Sequence, residues 1–355
     1  MQGIELSRTF YDEIVAPFLA SAAPELSYSA ALIGYGSELL GFDDETSKDH
    51  NWGPRVHIHL SAADFHAHAQ SLLADFAKVL PQTFRGEPTG WRARPHPAAS
   101  NRDSIGALEH GLEFHTIEGR LESHFGIRYL EGIRPVDWLG FPEQKLLSFT
   151  AGAVFHDGDG RLTLARRALA YFPDDVWLYR IACHWRRIAE AQAFVGRAGQ
   201  VGDDLGSRLI AARLVHDVMA LGFLLARSYA PYAKWFGTGF SQLPIANALM
   251  PDLNLALEAT AWNERGEALA RAYLKLATIQ NEKGVGPFTP VVGPYYDRPF
   301  VTINADDAVN AAMAAINDPA LRSLPVLGAI DQASDLTPLL VDAVRSQQVA
   351  RQLLG

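Results

Sequence analysis

The sequence is poor in cysteine and in surplus positive charge, and each scarcity excludes a class of protein. Cys183 is the single cysteine in 355 residues, so no internal disulfide can form, and the count is typical of a reducing compartment. The formal net charge of −9 disfavours a general binder of nucleic acid or anionic membranes, because such proteins attract phosphates with an excess of Lys and Arg. A local basic pocket is still compatible with this balance.

Long apolar runs are also missing. The longest, around Val218–Ala226, is far shorter than the roughly 20 residues that a helix needs to cross a bilayer. The N-terminus carries Glu5, Asp12 and Glu13 before any apolar run, unlike a signal peptide. We therefore expect a cytoplasmic protein with no membrane partner.

The first third of the chain has the pattern of a small α/β unit. Apolar spacing predicts a helix over residues 4–20 and a second helix over residues 64–80. Three segments are typical of strands, namely "LSYSAALIGYG", "RVHIHLSA" and "GLEFHTIEG". Residues 27–120 are therefore predicted to contain a sheet flanked by helices.

Beyond about residue 126 the spacing becomes that of long helices. The segments "DDVWLYRIACHWRRIAEAQAFV", "SRLIAARLVHDVMALGFLLARSYA" and "ERGEALARAYLKLATIQNEKG" each predict one. The Gly- and Pro-rich segment 284–299 is predicted to be a loop. We expect one domain over residues 1–125, a helical domain over 126–284, and an extension over 285–355 packed on the helical domain.

The segment "GYGSELLG" is the first candidate for binding chemistry. A dinucleotide fingerprint would need glycine at position 39, which is Leu39, and the G-K-[ST] ending of a P-loop is missing as well. A strand that delivers Gly36 and Ser37 to the start of a helix fits better. Free backbone N–H groups and the helix dipole favour a phosphate at such a turn.

Oxygen-bearing side chains follow this turn. Asp49 comes twelve residues after Ser37, and Asn51 lies two residues further on. Residues i and i+2 of an extended segment point to the same side, so both could hold a divalent metal against bound phosphates. Mg²⁺ prefers such oxygen ligands.

These motifs resemble the nucleotidyltransferase superfamily of DNA polymerase beta-like enzymes and aminoglycoside nucleotidyltransferases. The longer motif "GSELLGFDDETSKDHNWGPR", together with "RSYAPYAKWFG", is more similar to an uncharacterised bacterial branch with a C-terminal helical domain. The resemblance covers about residues 27–330. It implies an α/β (α+β) nucleotidyltransferase-like domain with a mixed sheet, followed by a mainly α-helical domain, with the substrate between them.

The resemblance also implies roles for individual residues. Gly36 and Ser37 would hold nucleotide phosphates, and Asp49 would be the first ligand of Mg²⁺ or Mn²⁺. The second ligand position falls on Asn51, where active members carry Asp or Glu, so one negative charge is missing. Glu113 would supply the third acid.

Several alternatives stay open at this point. His115 or Glu118 could replace Glu113 as the third ligand, depending on the strand register, and Asp43 and Asp44 could compensate for Asn51. His57 and His59 could be zinc ligands or partly exposed structural histidines. We prefer the structural interpretation, because no further ligand pattern joins them.

Two basic residues are further candidates for contacts to the nucleotide. Arg55 directly follows the "DHNWGP" motif. Lys234 stands beside Tyr232 and Trp235, where it could receive a triphosphate or an acceptor. The aromatic residues of this segment could equally pack the end of a helix.

The implied function is metal-dependent transfer of a nucleoside monophosphate, with AMP as the expected group, from a nucleoside triphosphate to a hydroxyl, releasing pyrophosphate. The acceptor would be a small molecule or a macromolecule. The alternative, favoured by Asn51, is a degenerate scaffold that senses nucleotide or binds a protein. A toxin–antitoxin-like or RNA-modifying enzyme is a third class, which the acidic charge opposes.

Overall fold

The computed structural model describes residues 1–49, 52–90 and 110–354. The chain divides into two compact units that are interleaved in sequence. The first comprises Met1–Gly132 and Lys145–Ala170, and the second comprises Ile133–Gln144 and Tyr171–Gly355.

The first unit combines short strands with helices of up to five turns. Its helices are α1 (Gly3–Phe10), α2 (Ala16–Ala22), α3 (Ala62–Val79), α4 (Ile117–Phe125), α5 (Glu143–Thr150, whose first two residues are assigned to the second unit) and α6 (Arg161–Ala168). A π-helical turn over Tyr11–Val15 joins α1 to α2, and 3₁₀ helices span Ser37–Leu40 and Thr46–Asp49. Its strands are β1 (Ser29–Leu32), β2 (Val56–Leu60), β3 (Thr83–Phe84), β4 (Glu87–Pro88), β5 (Leu112–Thr116) and β6 (Ala153–Asp157).

The central sheet has four strands in the order β5-β2-β1-β6. β1 runs antiparallel to both β2 and β6, while β2 and β5 are parallel, with His57 opposite Glu113 and His59 opposite His115. The predicted mixed sheet is therefore confirmed. The fourth strand, β6, lies in a segment for which the sequence predicted no strand.

Helices α1 and α3 cover this sheet with apolar side chains. Leu6, Phe10, Ile58 and Phe76 are buried in one hydrophobic cluster. The cluster also includes residues of the π-helical turn, α2, β1, β3 and β5. Burying each such side chain stabilises the fold by roughly 1.5–3 kcal/mol. The side chain of Ser61 caps α3 by accepting a hydrogen bond from the N–H of Asp64.

The second unit is mainly helical. It contains 3₁₀ helices over Pro135–Gly140 and Ala233–Trp235 and the helices α7 (Asp174–Gln200), α8 (Asp204–Leu225), α9 (Phe236–Ser241), α10 (Ala246–Glu258) and α11 (Trp262–Glu282). The hairpin β7 (Val292–Tyr295) and β8 (Arg298–Ile303) follows, then α12 (Ala305–Ala314), α13 (Pro319–Arg322), α14 (Ile330–Ala333), α15 (Thr337–Leu340) and α16 (Ala343–Leu354).

The long helices of this unit agree with the predicted ones, but the predicted loop over 284–299 is in part wrong. Val292–Tyr295 pairs with Arg298–Ile303 as an antiparallel hairpin. The hairpin packs on α7 at Gly196, where an added Cβ would lie 2.4 Å from the Phe300 ring. Tertiary packing therefore stabilises strands in a segment whose glycines and prolines are typical of loops. Among the described residues, no helix is both long enough and apolar enough to cross a membrane.

Candidate active site

The Gly36–Ser37 turn has the predicted strand–turn–helix geometry. Gly34 and Gly36 follow β1 with φ angles of 108° and 141°, a region that side chains with a Cβ rarely adopt. A 3₁₀ helix begins at Ser37, and Ser37 is buried. The turn therefore depends on glycine and presents the start of a helical segment at the end of β1.

A carboxylate lies beside this turn. Glu38 is buried, and an added Cβ on Gly36 would lie 2.3 Å from its Oε2 atom. The Glu38 carboxylate pairs with the Arg55 guanidinium, whose Nη2 also donates to the carbonyl of Tyr35 at 2.9 Å. Burial raises the pKa of Glu38, while the charge of Arg55 opposes that effect. Arg55 thus lies at the turn, but it already has protein acceptors there.

The two acids of the following loop have structural partners. Asp43 accepts hydrogen bonds from the backbone N–H of Gly3 at 2.8 Å and from the Trp52 indole at 3.0 Å. The Asp44 carboxylate accepts from the N–H of Ser47 at 2.8 Å, at the start of a 3₁₀ helix. These contacts hold the loop against α1 and on itself, and among the described residues Oδ1 of Asp43 is buried without a hydrogen-bond partner.

Asp49 is the last residue of the 3₁₀ helix Thr46–Asp49, seven positions before β2. The expectation that it lies on an extended segment is therefore wrong, since a 3₁₀ helix turns by about a third of a circle per residue. The side chain of Asp49, and both His50 and Asn51, lie outside the described residues. Their role as a ligand pair stays a prediction.

Glu113 projects from β5 into a group of nitrogen atoms. Its Oε2 lies 2.9 Å from His115 Nε2, 3.7 Å from His57 Nε2 and 3.8 Å from Arg120 Nη2. Burial alone would raise the pKa of Glu113, but the neighbouring histidines and Arg120 together hold that pKa well below its ordinary value. Glu113 is therefore a carboxylate at neutral pH.

A magnesium or manganese site built from protein ligands alone requires several ligand side chains grouped together. Nowhere in residues 1–48, 52–90 and 110–354 are three or more His, Cys, Asp or Glu side chains grouped to hold a metal ion. Mg²⁺ takes oxygen ligands, whereas the surroundings of Glu113 are nitrogen donors and one guanidinium. Metal binding by Asp49, Asn51 and Glu113 stays a prediction.

Five side chains from β2, β5 and α4 meet near Glu113. We call them the Arg120 cluster: His57, His59, His115, Arg120 and His124. His57 and His59 have exposed fractions of only 2% and 3%, so the prediction that they are partly exposed is wrong. The ring of His115 lies between them, 5.7 Å from His57 and 5.9 Å from His59 between centroids. Arg120 and His124 come from α4.

Many nitrogen atoms of the Arg120 cluster are buried without a hydrogen-bond partner. Among the described residues this holds for Nδ1 of His57, both ring nitrogens of His59, Nε2 of His124, and Nε and Nη2 of Arg120. Burial, and next the positive charge of Arg120, lower the pKa of each histidine below its ordinary value. The imidazoles are therefore neutral at pH 7, and Arg120 carries the charge of the cluster.

The Arg120 cluster adjoins the Gly36–Ser37 turn. The Tyr35 ring stacks on the His124 ring with centroids 6.4 Å apart, and the Lys145 ammonium lies 5.3 Å from the centre of the Tyr35 ring. An added Cβ on Gly34 would lie 3.8 Å from His57 Cε1. Burial raises the pKa of Tyr35 to about 12, so its phenol keeps its proton. The turn and the cluster form one continuous polar region of the first unit.

Lys234 belongs to the second unit. It is exposed in the 3₁₀ helix Ala233–Trp235, with its ammonium 4.9 Å from the centre of the Trp235 ring. Nearby Tyr229 is buried and packs against Tyr171 and Phe172. Tyr229 therefore stabilises this unit, and a nucleotide contact by Lys234 stays a prediction.

Sequence reasoning missed four polar residues of this region, namely Glu38, Arg120, His124 and Lys145. One signal was present, because Arg120 and His124 are four apart and share a face of a helix. Nothing in the sequence shows that this face covers the histidines of β2 and β5.

The comparisons with known proteins are sparse. A domain of unknown function, DUF4037, matches residues 138–236, a segment that includes "YAPYAKW" but not the Gly36–Ser37 turn. No curated protein matches the chain. A crystal structure of a nucleotidyltransferase-like protein from Exiguobacterium sibiricum is similar over 81% of this chain and 82% of that chain, with 12% sequence identity and a TM-score of 0.30. A likeness at this TM-score carries no argument about the site.

Proposed function

We propose that this protein binds a nucleoside triphosphate in the first unit and transfers its nucleoside monophosphate, with AMP as the expected group, to a hydroxyl of an acceptor. One observation carries the proposal. A glycine-dependent turn at the end of β1 adjoins a buried polar region that is rich in nitrogen donors and contains a guanidinium with unused N–H groups. Such a region suits an anion with many acceptor oxygens.

The nucleotidyltransferase-like fold is part of this proposal. Its support is the mixed sheet, the strand-to-3₁₀ turn at Gly36–Ser37, and Glu113 on the strand beside β2. In the proposed reaction the acceptor oxygen forms a bond to the α-phosphorus, the bond from that phosphorus to the bridging oxygen breaks, and pyrophosphate leaves. The hydroxyl proton passes to a base.

The residues of this chain would act by position and charge. Arg120 would neutralise phosphate oxygens, and Arg55 would fix the turn through Tyr35 and Glu38. Positioning of this kind supplies much of the rate enhancement in phosphoryl chemistry. Mg²⁺ or Mn²⁺ is expected to add charge neutralisation if Asp49 and Asn51 supply the oxygen ligands that the described residues do not.

The test combines binding with turnover. Nucleoside triphosphates are titrated into the protein with and without Mg²⁺ or Mn²⁺, and pyrophosphate release is measured with candidate acceptors. We expect ATP binding and metal-dependent pyrophosphate release, both strongly reduced in Asp49→Ala. Asp75→Ala is the matched control, because Asp75 is exposed on α3 and pairs only with Lys78 among the described residues. Absence of both binding and release in the wild type would refute the proposal.

A second candidate is a degenerate scaffold that binds nucleotide without turning it over, or that binds a protein partner. The observation in its favour is that Glu113, the expected third acid, is engaged by His115 and faces Arg120, while Asn51 lacks a charge. For this candidate, ATP binds without pyrophosphate release, and Asn51→Asp creates or raises turnover. For the first candidate, the wild type already turns over.

A further inference from the structure

We propose that the Arg120 cluster is a binding subsite for a phosphate group, in which the Nε–Nη2 edge of Arg120 contacts two phosphate oxygens. The inference deepens the proposed function and rests on it for the natural source of the phosphate. That source is either the triphosphate of the nucleotide or a phosphate carried by the acceptor.

The first argument is hydrogen bonding. Arg120 Nε and Nη2 are buried and have no hydrogen-bond partner among the described residues, and Glu113 is 3.8 Å away from Nη2. A buried donor without a partner destabilises the folded state, more so when it is charged, and native proteins therefore leave few of them. A ligand with acceptor oxygens would satisfy both atoms.

The second argument is shape. Nε and Nη2 form one edge of the planar guanidinium, and their N–H bonds run side by side. This edge matches two oxygens of a phosphate, the bidentate geometry for which arginine is preferred over lysine. The neutral ring nitrogens of His59 and His124 can each donate or accept, so they can contact a third oxygen or a phosphate hydroxyl.

The third argument is charge and access. Among the described residues, Glu113 is the only one whose carboxylate lies within 4 Å of an Arg120 nitrogen. The same carboxylate also contacts His115 and His57. The cationic Lys145 stands at the margin beside Tyr35. The side chains of Glu113 and His115 keep exposed fractions of 36% and 27%, so the cluster reaches solvent on that side. Arg120 Nε and Nη2 are themselves buried, so an anion would reach them past these two side chains.

The experiment is calorimetric titration of inorganic phosphate and of pyrophosphate into wild type, Arg120→Met and Arg128→Met. Arg128 is a matched control because its side chain is 61% exposed and lies 3.8 Å from Glu122, outside the cluster. We expect both anions to bind the wild type and Arg128→Met with equal affinity, and Arg120→Met to lose at least tenfold. Arg120→Lys keeps the charge without the two-donor edge, so it should be intermediate; it also covers the case in which Arg120→Met does not fold.

Equal anion affinity in wild type and Arg120→Lys or Arg120→Met, or no anion binding by the wild type, would overturn the subsite. A parallel ATP titration separates this failure from that of the proposed function. If ATP binds and neither variant changes the affinity for ATP, phosphate or pyrophosphate, the subsite is wrong and nucleotide binding stands. If phosphate binds through Arg120 but ATP does not bind, the subsite stands and the proposed function fails.

Competition between phosphate and ATP would identify the triphosphate as the natural source of the bound phosphate group. Absence of competition would indicate that the acceptor carries it.

Discussion

Arg120 of the first unit, whose side chain is 12% exposed, and the fully buried Arg180 of the second unit differ in what surrounds them. In the first unit, Arg120 lies among neutral histidines with one distant carboxylate. In the second unit, Arg180 is fully buried between the carboxylates of Glu143 and Asp331, with its guanidinium 4.5 Å from the centre of the Phe172 ring. Of the three guanidinium nitrogens of Arg180, one, Nε, lacks a hydrogen-bond partner among the described residues.

The carboxylates around Arg180 are themselves held by the backbone. Glu143 accepts a hydrogen bond from the N–H of Ala230 at 2.8 Å, and its own N–H donates to Asp331 at 3.0 Å. The ion pairs therefore tie the start of α5, α7, α14 and the segment before the Ala233–Trp235 helix together. Arg180, held by two carboxylates, therefore stabilises the fold, whereas the two unpartnered donors of Arg120 are the basis of the proposed phosphate subsite.

The largest expected effect comes from removing Arg180. Arg180→Met should lower the free energy of unfolding by about 3–5 kcal/mol, because it leaves two buried carboxylates without a counter-charge. Arg120→Met should lower it by about 1 kcal/mol or less, since few bonds are lost and a desolvated charge disappears. Urea denaturation of both variants measures the difference, and an equal loss in the two would contradict the comparison.

The second effect is a loss of stability in acid that comes from the first unit. His59 faces Arg120, His115, His124 and Glu113, and burial lowers its pKa well below the ordinary value. The unfolded chain therefore takes up a proton at His59 below about pH 6.5 while the folded chain does not, so stability falls as the pH falls. Relative to His59→Phe, the wild type should lose about 1 kcal/mol per pH unit from pH 6.5 downward. A pH-independent difference in urea denaturation between the two proteins would refute this.

The smallest expected effect is a loss of stability with rising pH, which Asp331 of the second unit causes. Burial raises the pKa of Asp331 to about 6, against the charge of Arg180 and with the help of Glu143. The folded chain then holds a proton at Asp331 more tightly than the unfolded chain, so stability falls as the pH rises from about 4 to 6. Compared with Asp331→Asn, the wild type should lose about 1–2 kcal/mol over this window and change little above it. A gain over the same window would show that Arg180 keeps Asp331 ionised.

Local patterns in the sequence predicted much of the first unit. Alternating apolar residues predicted β1, β2 and β5, and Gly36 with Ser37 predicted the turn after β1, because these features depend on neighbouring residues. β6 was missed because its support is distant: Ser29 of β1 donates to Asp157 at 2.6 Å across 128 residues of sequence. The same limit applies to β7 and β8, which packing on α7 stabilises.

The candidate site was predictable only in part for a similar reason. Arg55, predicted as a nucleotide contact, lies beside the turn, and Glu113, predicted as the third acid, lies opposite His57 in the sheet; both roles stay predictions. The sequence could not show that the neighbouring Glu38 pairs with Arg55, that Asp49 lies in a 3₁₀ helix, or that α4 covers the sheet with Arg120 and His124. Each of these facts depends on contacts between elements that are far apart in the chain.

The most direct test of the central claim is the effect of millimolar pyrophosphate on the free energy of unfolding of wild type, Arg120→Met and Asp331→Asn. A ligand present at 100 times its dissociation constant adds about 2.7 kcal/mol to the stability of the state that binds it. We predict that pyrophosphate stabilises wild type and Asp331→Asn equally, and that it stabilises Arg120→Met by about half as much or less. Stabilisation of Arg120→Met to the same extent as wild type would contradict the assignment of Arg120 to a ligand.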